Sequence, residues 1–249
     1  MGSTMKNNEE SNEIKYEYIK DETNEKLEEA SEKSINDNKV LKEILDWFFC
    51  IIIALVIAFL IKYFLGTFTT VQQESMYPTL KNEQKLWLDR TIRTFNGKYK
   101  KGDIVTFESP VHDTAYISNS NPKAVYYDNK DIFNSFIYNF LEFGKISLIK
   151  RVIAVEGDRV QIKDGKVFVN GKELEEEYLP EGVETYSEML NDFVVPEGCL
   201  FMMGDNRSRS TDCRVLGCIP IEKMEGKILI SVYPFNTFGK INTKRKIDE

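Results

Sequence analysis

The sequence predicts a mainly β fold, in which a single N-terminal transmembrane helix precedes an antiparallel β-sheet domain. Three observations support this fold class. The only long apolar run of the chain is Trp47–Leu65. After Gly66 the chain consists of short alternating or apolar segments that are separated by turn residues. The pairs Asp164-Gly165 and Asn170-Gly171 each favour a two-residue hairpin turn.

Residues 1–45 are predicted to form a disordered acidic tail. Residues 1–46 carry thirteen acidic and seven basic side chains, so most of the total charge of -7 lies there. The few apolar side chains of this tail cannot bury enough surface to offset the entropy lost on ordering. The rest of the chain has no basic stripe with interleaved aromatic residues, so nucleic acid is not an expected partner.

The apolar run predicts a transmembrane helix over residues 46–66. Its uncharged part, Trp47–Ile61, has fifteen residues, and Lys62 can extend its aliphatic chain along the helix to the headgroups. About 20 residues are needed to cross the hydrocarbon core. A buried core helix is the alternative, but the run is apolar on every face. A cleaved signal peptide is disfavoured, because the run begins far from residue 1.

The remainder, residues 67–249, predicts a β-domain with one insertion at residues 111–146. Within the insertion, apolar residues recur at helical spacing over residues 131–144, which predicts an amphipathic helix. This helix would pack on the β-domain or lie in the membrane interface. The predicted strands are Lys85–Asp89, Asp103–Phe107, Ser147–Val155, Arg159–Lys163, Lys166–Asn170, Phe193–Met203 and Lys227–Tyr233.

The four cysteines and the single His112 do not predict a metal site. The cysteines lack the paired spacing of zinc ligands, and one histidine cannot complete a Cys/His set. Cys213 and Cys218 could form a disulfide, but free thiols are the preferred interpretation. We expect neither a metal nor another cofactor.

A constrained turn supplies a candidate nucleophile, Ser75. It follows the apolar run by about ten residues, which span at most roughly 35 Å. Pro78 fixes its own φ and favours an extended conformation at Tyr77. Such a turn can expose a serine Oγ and direct backbone N–H groups at a developing oxyanion. Taken alone, the motif is more often only a turn.

Lys150 is the candidate general base, because a serine hydroxyl reacts only when a base removes its proton. His112 lies in a polar segment without an obvious orienting partner. Lys150 lies in an apolar strand, where burial lowers a lysine pKa. An ordinary lysine, with a pKa of about 10.4, is neutral in only about one molecule in 2500 at pH 7. The alternative is a structural salt bridge to a carboxylate such as Asp212.

Four segments, in this order along the chain, resemble the conserved boxes of type I signal peptidases. Val71–Leu80 resembles the serine box, and Lys101–Pro110 resembles the box that follows it. Ile149–Val160 resembles the lysine box, and Met203–Gly217 resembles the last box. All four follow an N-terminal apolar run, and the resemblance covers most of residues 47–235.

The resemblance implies a membrane-bound serine endopeptidase that removes signal peptides from secreted preproteins after small residues, in an Ala-X-Ala pattern. Ser75 matches the nucleophile, and its backbone N–H would contribute to the oxyanion hole. Lys150 matches the general base, and Ser210 matches the serine that orients the lysine amine. The residues that match the structural support of this site are Arg151, Asp205, Asn206, Arg207, Asp212 and Arg214.

The resemblance also implies a location and partners. The protein would span the plasma membrane once, with a cytoplasmic N-terminus and an extracytoplasmic catalytic domain. Its expected partners are secreted preproteins with signal peptides and the lipid bilayer, and the secretion translocon is a further candidate. The substrate would add as a strand between the residues that lead into Ser75 and those that lead into Lys150.

Three features depart from the family pattern. Gln73 stands where many relatives have serine or glycine, and we hypothesise that its side-chain amide is the second oxyanion donor. Cys213 replaces a common serine, as a near-isosteric packing change. The insertion at 111–146 is longer than in compact relatives, which concerns substrate selection or membrane docking rather than the chemistry.

Two other classes of protein remain as alternatives. One is a catalytically silent, membrane-anchored β-domain that acts as a scaffold, although Ser75, Lys150 and Ser210 would then have no role. The other is a self-cleaving Ser/Lys regulator related to the SOS repressors. Such a regulator needs a DNA-binding module, whereas this chain opens with an acidic tail and an apolar run.

Overall fold

A computed structural model of the chain describes residues 39–110, 116–126 and 145–241. The predicted amphipathic helix at 131–144, His112 and the predicted tail up to residue 38 lie outside the described residues. The chain divides into two compact units, Met1–Ala58 and Phe59–Glu249.

Helix α1 extends over Lys39–Leu65 and is the one helix in the described part that is long and apolar enough to cross a membrane. Its last turn, Ile61–Leu65, is π-helical. Every side chain of residues 39–58 is exposed, which argues against the core-helix alternative. The helix includes residues 39–45, which the sequence assigned to the tail. Apolar residues at helical spacing in that segment, from Val40 to Leu45, explain the longer helix.

The described part of the unit from Phe59 onward is built on two antiparallel sheets and two short α-helices, α2 (Thr91–Thr94) and α3 (Cys213–Leu216). The strands are β1 (Gly66–Thr70), β2 (Lys85–Asp89), β3 (Ile104–Glu108), β4 (Ser147–Val155), β5 (Arg159–Lys163), β6 (Lys166–Val169), β7 (Lys172–Glu173), β8 (Asp192–Val194), β9 (Cys199–Met203), β10 (Ile219–Pro220), β11 (Met224–Tyr233) and β12 (Gly239–Lys240). The larger sheet has the order β1-β2-β11-β3-β4-β9-β10, with β12 on β11. The smaller sheet has the order β7-β6-β5-β8. The predicted fold class is confirmed.

Both predicted hairpin turns are present. Asp164 and Gly165 have φ values of 52° and 73° and connect β5 to β6. Asn170 and Gly171 have φ values of 54° and 78° and connect β6 to β7. Two consecutive residues with positive φ are the requirement of a type I′ turn, which asparagine, aspartate and glycine tolerate.

One predicted strand is wrong, because the segment Phe193–Met203 forms two strands in different sheets. Asp192–Val194 is the edge of the smaller sheet, and Cys199–Met203 pairs with β4 in the larger one. A turn separates them: the Cys199 N–H donates to Pro196 O at 3.1 Å, and Gly198 has a φ of 66°. The proline-to-glycine turn changes the direction of the chain and therefore the sheet to which it contributes.

A small apolar cluster lies behind the turn that holds Ser75. Met76 is 1% exposed and packs with residues of β2, β3 and β11. Strand β11 pairs with β2 on one side and β3 on the other, so it joins the serine half of the larger sheet to the lysine half. The buried members of this cluster are Val71, Met76, Leu80, Leu86, Leu88, Ile104 and Ile228.

Candidate active site

The structure brings Ser75 and Lys150 together. The Lys150 ammonium donates a hydrogen bond to Ser75 Oγ at 2.8 Å and another to its neighbouring carbonyl, Ile149 O, at 3.0 Å. Ser75 is 7% exposed and Lys150 only 1% exposed. The candidate nucleophile and the candidate base are therefore in direct contact in a nearly dry environment.

The surroundings of Lys150 favour its neutral form. Burial lowers the pKa of Lys150 from 10.5 to about 8, although the Asp212 carboxylate opposes the shift. With a pKa of about 8, about one Lys150 amine in ten is neutral at pH 7. Lys150 makes no ion pair with any residue in the described ranges. The alternative interpretation, a structural salt bridge between Lys150 and Asp212, is therefore not observed. Asp212 pairs with Arg214 instead.

Ser75 lies in a single 3-10 turn, Glu74–Met76. The Tyr77 N–H donates to Glu74 O at 3.0 Å, and the Leu80 N–H donates to Met76 O at 2.8 Å. Tyr77 is extended, with φ -68° and ψ 139°, as Pro78 predicts. These bonds fix the turn from within.

The loop after β9 holds the same turn from outside. The Asn206 backbone N–H donates to Ser75 O at 3.0 Å, and its side-chain amide donates to Glu74 O at 3.1 Å. Gly204 passes so close that an added Cβ would lie 2.5 Å from Ser75 O and would overlap Ser210. The backbone approach therefore requires glycine at position 204.

A buried ion pair connects the lysine strand to this loop. Arg151 donates to both oxygens of Asp205, at 2.8 and 2.6 Å, and the two residues are 0% and 1% exposed. The Thr79 hydroxyl donates to the same carboxylate at 2.5 Å, which adds the serine turn to the pair. The Tyr178 ring lies against the Arg151 guanidinium, at 3.9 Å from the ring centroid.

Asp212 organises the backbone next to the dyad. It caps α3 by accepting from the Arg214 N–H at 3.2 Å, and it accepts from the Gly204 N–H at 2.9 Å. The Arg214 guanidinium donates to both Asp212 oxygens, at 2.8 and 2.9 Å. Asp212 is 0% exposed, so this set of donors compensates a fully buried charge.

Arg207 ties the loop to a segment that the sequence did not single out. Its guanidinium donates to Gly204 O at 3.1 Å and also to the Glu176 carboxylate and the Thr185 hydroxyl. Tyr178 and Glu176 thus contribute to the support of the site, although they lie in an acidic stretch without a motif. The one sequence signal was Tyr178, an aromatic residue inside that polar stretch.

Ser210 does not make the hydrogen bond to Lys150 that the resemblance implied. Its Oγ is buried and has no hydrogen-bond partner in the part of the chain that the structure describes. The residue nevertheless lies beside the site. A Cβ added at Gly204 would lie 2.2 Å from Ser210 Oγ and 2.5 Å from Ser75 O, so both residues pack against this glycine. A buried hydroxyl without a hydrogen-bond partner is costly to the folded state.

Gln73 and Cys213 occupy different environments. Gln73 is exposed and lines the cleft beside Ser75. Cys213 is 0% exposed, and burial raises the pKa of its thiol well above the ordinary range. All four cysteines are free, as the sequence predicted. Among the described residues, no group of three His, Cys, Asp or Glu side chains is arranged to hold a metal ion.

A cleft of about 490 Å³ leads to the dyad. One wall is formed by the chain from Phe68 to Met76, the other by the chain from Lys145 to Ile149, and Thr106 contributes from β3. The two walls are a strand of the sheet edge and the start of β4. An extended peptide can bind between such walls by backbone hydrogen bonds.

Comparisons with known proteins identify a family and several relatives of this chain. The profile described as "Signal peptidase, peptidase S26" matches residues 44–233. The chain is 35% identical to signal peptidase I of Bacillus licheniformis over 219 residues, covering 85% of this chain and 98% of that protein. It is 31% identical to signal peptidase I S of Bacillus subtilis (strain 168) over 219 residues, covering 84% of this chain and 100% of that protein.

This chain therefore belongs to the signal peptidase family, peptidase S26. Among solved structures, it is similar to the crystal structure of a signal peptidase I from Enterococcus faecalis V583. That match has 25% sequence identity and a TM-score of 0.35, and it covers 52% of this chain and 96% of that chain.

Proposed function

We propose that this protein is a membrane-anchored serine endopeptidase that removes N-terminal signal peptides from secreted preproteins. The observation that carries the proposal is the 2.8 Å contact between the Lys150 amine and Ser75 Oγ, at an amine that is 1% exposed. Membership of the signal peptidase family supports the substrate class. Cleavage would follow small residues in an Ala-X-Ala pattern.

In the proposed reaction, Ser75 Oγ attacks the carbonyl carbon of the scissile peptide bond while neutral Lys150 accepts the hydroxyl proton. The tetrahedral intermediate collapses to an acyl-enzyme, and Lys150 returns the proton to the leaving amine. Water then hydrolyses the ester with the same lysine as base. Each proton is thus moved by one group that is already within hydrogen-bonding distance of the nucleophile.

Three groups would assist this chemistry. The Ser75 backbone N–H would donate to the oxyanion, and the Gln73 side-chain amide would supply the second donor from the cleft wall. Ser210, whose hydroxyl has no hydrogen-bond partner in the described part of the chain, would orient the Lys150 amine when substrate enters. Arg151, Asp205, Asn206, Arg207, Asp212 and Arg214 would act on the geometry of the site rather than on the substrate.

The proposal places α1 in the plasma membrane, with the N-terminus in the cytoplasm and the β-domain outside. The secretion translocon and the bilayer would deliver the signal peptide to the cleft. The apolar and exposed surface of α1 supports a lipid environment for this helix. Labelling of single cysteines on either side of α1 in intact cells, with a membrane-impermeant reagent, tests the orientation.

The central experiment is cleavage of a fluorogenic peptide that spans a signal-peptide junction, by the full chain in detergent micelles. We expect cleavage by the wild type and none by Ser75→Ala or Lys150→Ala. The matched controls are Ser208→Ala, an exposed serine of the loop after β9, and Lys98→Ala, an exposed lysine.

Each alternative class of protein predicts another result. A scaffold would leave every peptide intact, and a self-cleaving regulator would cut only its own chain. Loss of cleavage in the two control variants as well would assign the defect to folding instead of chemistry.

A further inference from the structure

The last turn of α1 leaves backbone carbonyls that need partners from outside the helix. A helix does not satisfy its own last four carbonyls. Here these are the carbonyls of residues 62–65, because the Gly66 N–H donates to Ile61 O and ends the helical bonding. Residues 62–65 belong to the unit Phe59–Glu249, which also contains the candidate active site.

Arg90, the residue before α2, binds the first and the last of these carbonyls. Its guanidinium donates to Lys62 O at 3.5 Å, and its backbone N–H donates to Leu65 O at 3.0 Å. Arg90 also lines a cavity that shares wall residues with the cleft. A substitution at Arg90 would therefore alter the cleft as well as the helix end.

Arg93 and Thr94, in α2 itself, bind the two carbonyls in between. The Arg93 guanidinium donates to Tyr63 O at 3.0 Å and lies over the Tyr63 ring, 5.0 Å from its centroid. The Thr94 hydroxyl lies 2.9 Å from Phe64 O and 3.0 Å from Arg90 O, and shares its proton between them. The guanidinium groups also place positive charge at the negative end of the helix dipole.

This set of donors is fixed to the larger sheet. Asp89, the last residue of β2, accepts from the Thr91 N–H at 2.9 Å and from Thr91 Oγ1 at 2.7 Å, which holds the first turn of α2. Gly66 passes so close to β2 that an added Cβ would lie 2.5 Å from Leu88 O. The helix ends at Leu65 and β1 begins at Gly66, so no linker separates them.

Strand β1 continues this connection to the nucleophile. It pairs with β2 over its whole length, and the Val71 N–H then donates to Gln84 O at 2.9 Å. The chain from Phe68 to Met76 forms one wall of the cleft. Ser75 thus follows the clamped helix end by about ten residues, most of which are held by the sheet or by the serine turn.

We propose that Arg90, Arg93 and Thr94 form a clamp that holds the cleft at a fixed position relative to the last turn of α1, and thereby selects which bond of a membrane-inserted preprotein is cut. This inference rests on the proposed function, which places α1 in the bilayer. Arg93 and Thr94 are positioning residues, because they act through the helix end and not on the substrate.

The clamp matters because the required precision is small. An extended substrate advances about 3.3 Å per residue, so a cleft that moves by this distance cuts the neighbouring bond. A preprotein whose apolar segment lies in the same bilayer presents only the bond that reaches Ser75. Without the clamp, rotation at the junction of Leu65 and Gly66 would bring several bonds into reach.

The test compares cut positions in a membrane-inserted and in a soluble substrate. The full chain is reconstituted in vesicles of phosphatidylethanolamine and phosphatidylglycerol, with a precursor in which a run of alanines follows the apolar segment. Every bond of this run satisfies the small-residue pattern, and mass spectrometry identifies the bond that is cut. We expect the wild type to cut one bond in preference to its neighbours.

The variant to compare is Arg93→Ala combined with Thr94→Val. We expect it to lower the preference for this bond at least about fivefold, the size of one hydrogen bond. On a soluble peptide with the same alanine run, its kcat/KM should stay within about twofold of the wild type, because the clamp bonds involve neither Ser75 nor Lys150. Arg93→Lys combined with Thr94→Ser keeps the donors and should restore the preference.

The control is Arg159→Ala, which removes an exposed arginine of the smaller sheet and should leave the cut position unchanged. A wild type that cuts neither substrate overturns the proposed function and the clamp with it. A wild type that cuts both but attacks neighbouring bonds of the membrane-inserted substrate equally overturns the clamp alone, without any variant. A double variant that keeps the wild-type preference, or that loses cleavage of the soluble peptide as well, also contradicts the positioning role.

Discussion

The Arg151 guanidinium and the Asp205 carboxylate are joined by two hydrogen bonds, of 2.8 and 2.6 Å, in a place that water does not reach. The pair connects the strand of the lysine to the loop that holds the serine turn. We expect Asp205→Asn to lower the free energy of unfolding by about 3–5 kcal/mol, because an uncompensated guanidinium stays buried. Urea denaturation of the purified chain measures this loss.

A second Arg–Asp pair provides a matched control. Arg159 and Asp192 have the same two-point geometry, at 2.8 and 2.7 Å, but their side chains are 58% and 41% exposed. Asp192→Asn should therefore cost much less than Asp205→Asn. Equal losses in the two variants would show that burial is not what gives the Arg151–Asp205 pair its importance.

The second prediction concerns the pH dependence of cleavage. The base must be neutral to accept a proton, and burial lowers the pKa of Lys150 to about 8. We expect kcat/KM to increase about tenfold per pH unit below this pKa and to level off above it. Rates measured with one peptide from pH 6 to pH 10 test this. A flat profile over that range is incompatible with Lys150 as the base.

The third prediction is that Lys150→Met stabilises the fold while it abolishes cleavage. The pKa of Lys150 falls from 10.5 to about 8 on folding, so the folded state binds this proton less tightly than the unfolded state. The destabilising contribution is complete below pH 8, amounts to about 3 kcal/mol, and disappears as the pH rises to 10.5. Unfolding experiments at pH 7 and at pH 10 measure the difference.

The control for this variant is Lys98→Met, an exposed site where little change is expected at either pH. If Lys150→Met unfolds more easily than the wild type at pH 7, the buried, protonated Lys150 amine does not destabilise the folded state.

The fourth prediction separates catalysis from stability at Ser210. Its buried hydroxyl has no hydrogen-bond partner among the described residues, so Ser210→Ala should not lower the free energy of unfolding. If the hydroxyl orients Lys150 during the reaction, kcat should fall at least tenfold, with a changed pH profile. Steady-state kinetics measured as a function of pH test this role. An unaltered kcat in Ser210→Ala would exclude Ser210 from the mechanism.

The fifth prediction tests Gln73 as an oxyanion donor. Gln73 is exposed on the cleft wall beside Ser75. Loss of one such donor costs about 10²–10³ in kcat in a well-studied serine protease. We expect Gln73→Ala to reduce kcat strongly with little effect on KM, and Gln73→Asn to recover part of it. Intact turnover in Gln73→Ala would leave the second donor to another group.

Much of the fold was predictable because its signals are local. Strands β2, β4 and β5 have their predicted bounds, since each is a run of alternating or apolar residues that ends at a turn. Strand β1 was missed, because Gly66–Thr70 contains only one large apolar residue, Phe68, and so shows no alternation of apolar and polar residues. It is a strand because its backbone pairs with β2, which is a tertiary effect.

The candidate site divides in the same way. Ser75 and Lys150 were found from a turn motif and from a lysine in an apolar strand. Glu176 and Tyr178 were not, since their importance comes from contacts with distant residues: Tyr178 with Arg151, and Glu176 with Arg207. A single sequence does not encode such neighbours in its local pattern.

Strand β11 lies between β2 and β3 in the larger sheet, although it comes much later in the chain than either. The two halves of this sheet are in register only because β11 pairs with both of them. The relative position of the serine turn and the lysine strand therefore depends on a segment that is distant from each of them in the sequence.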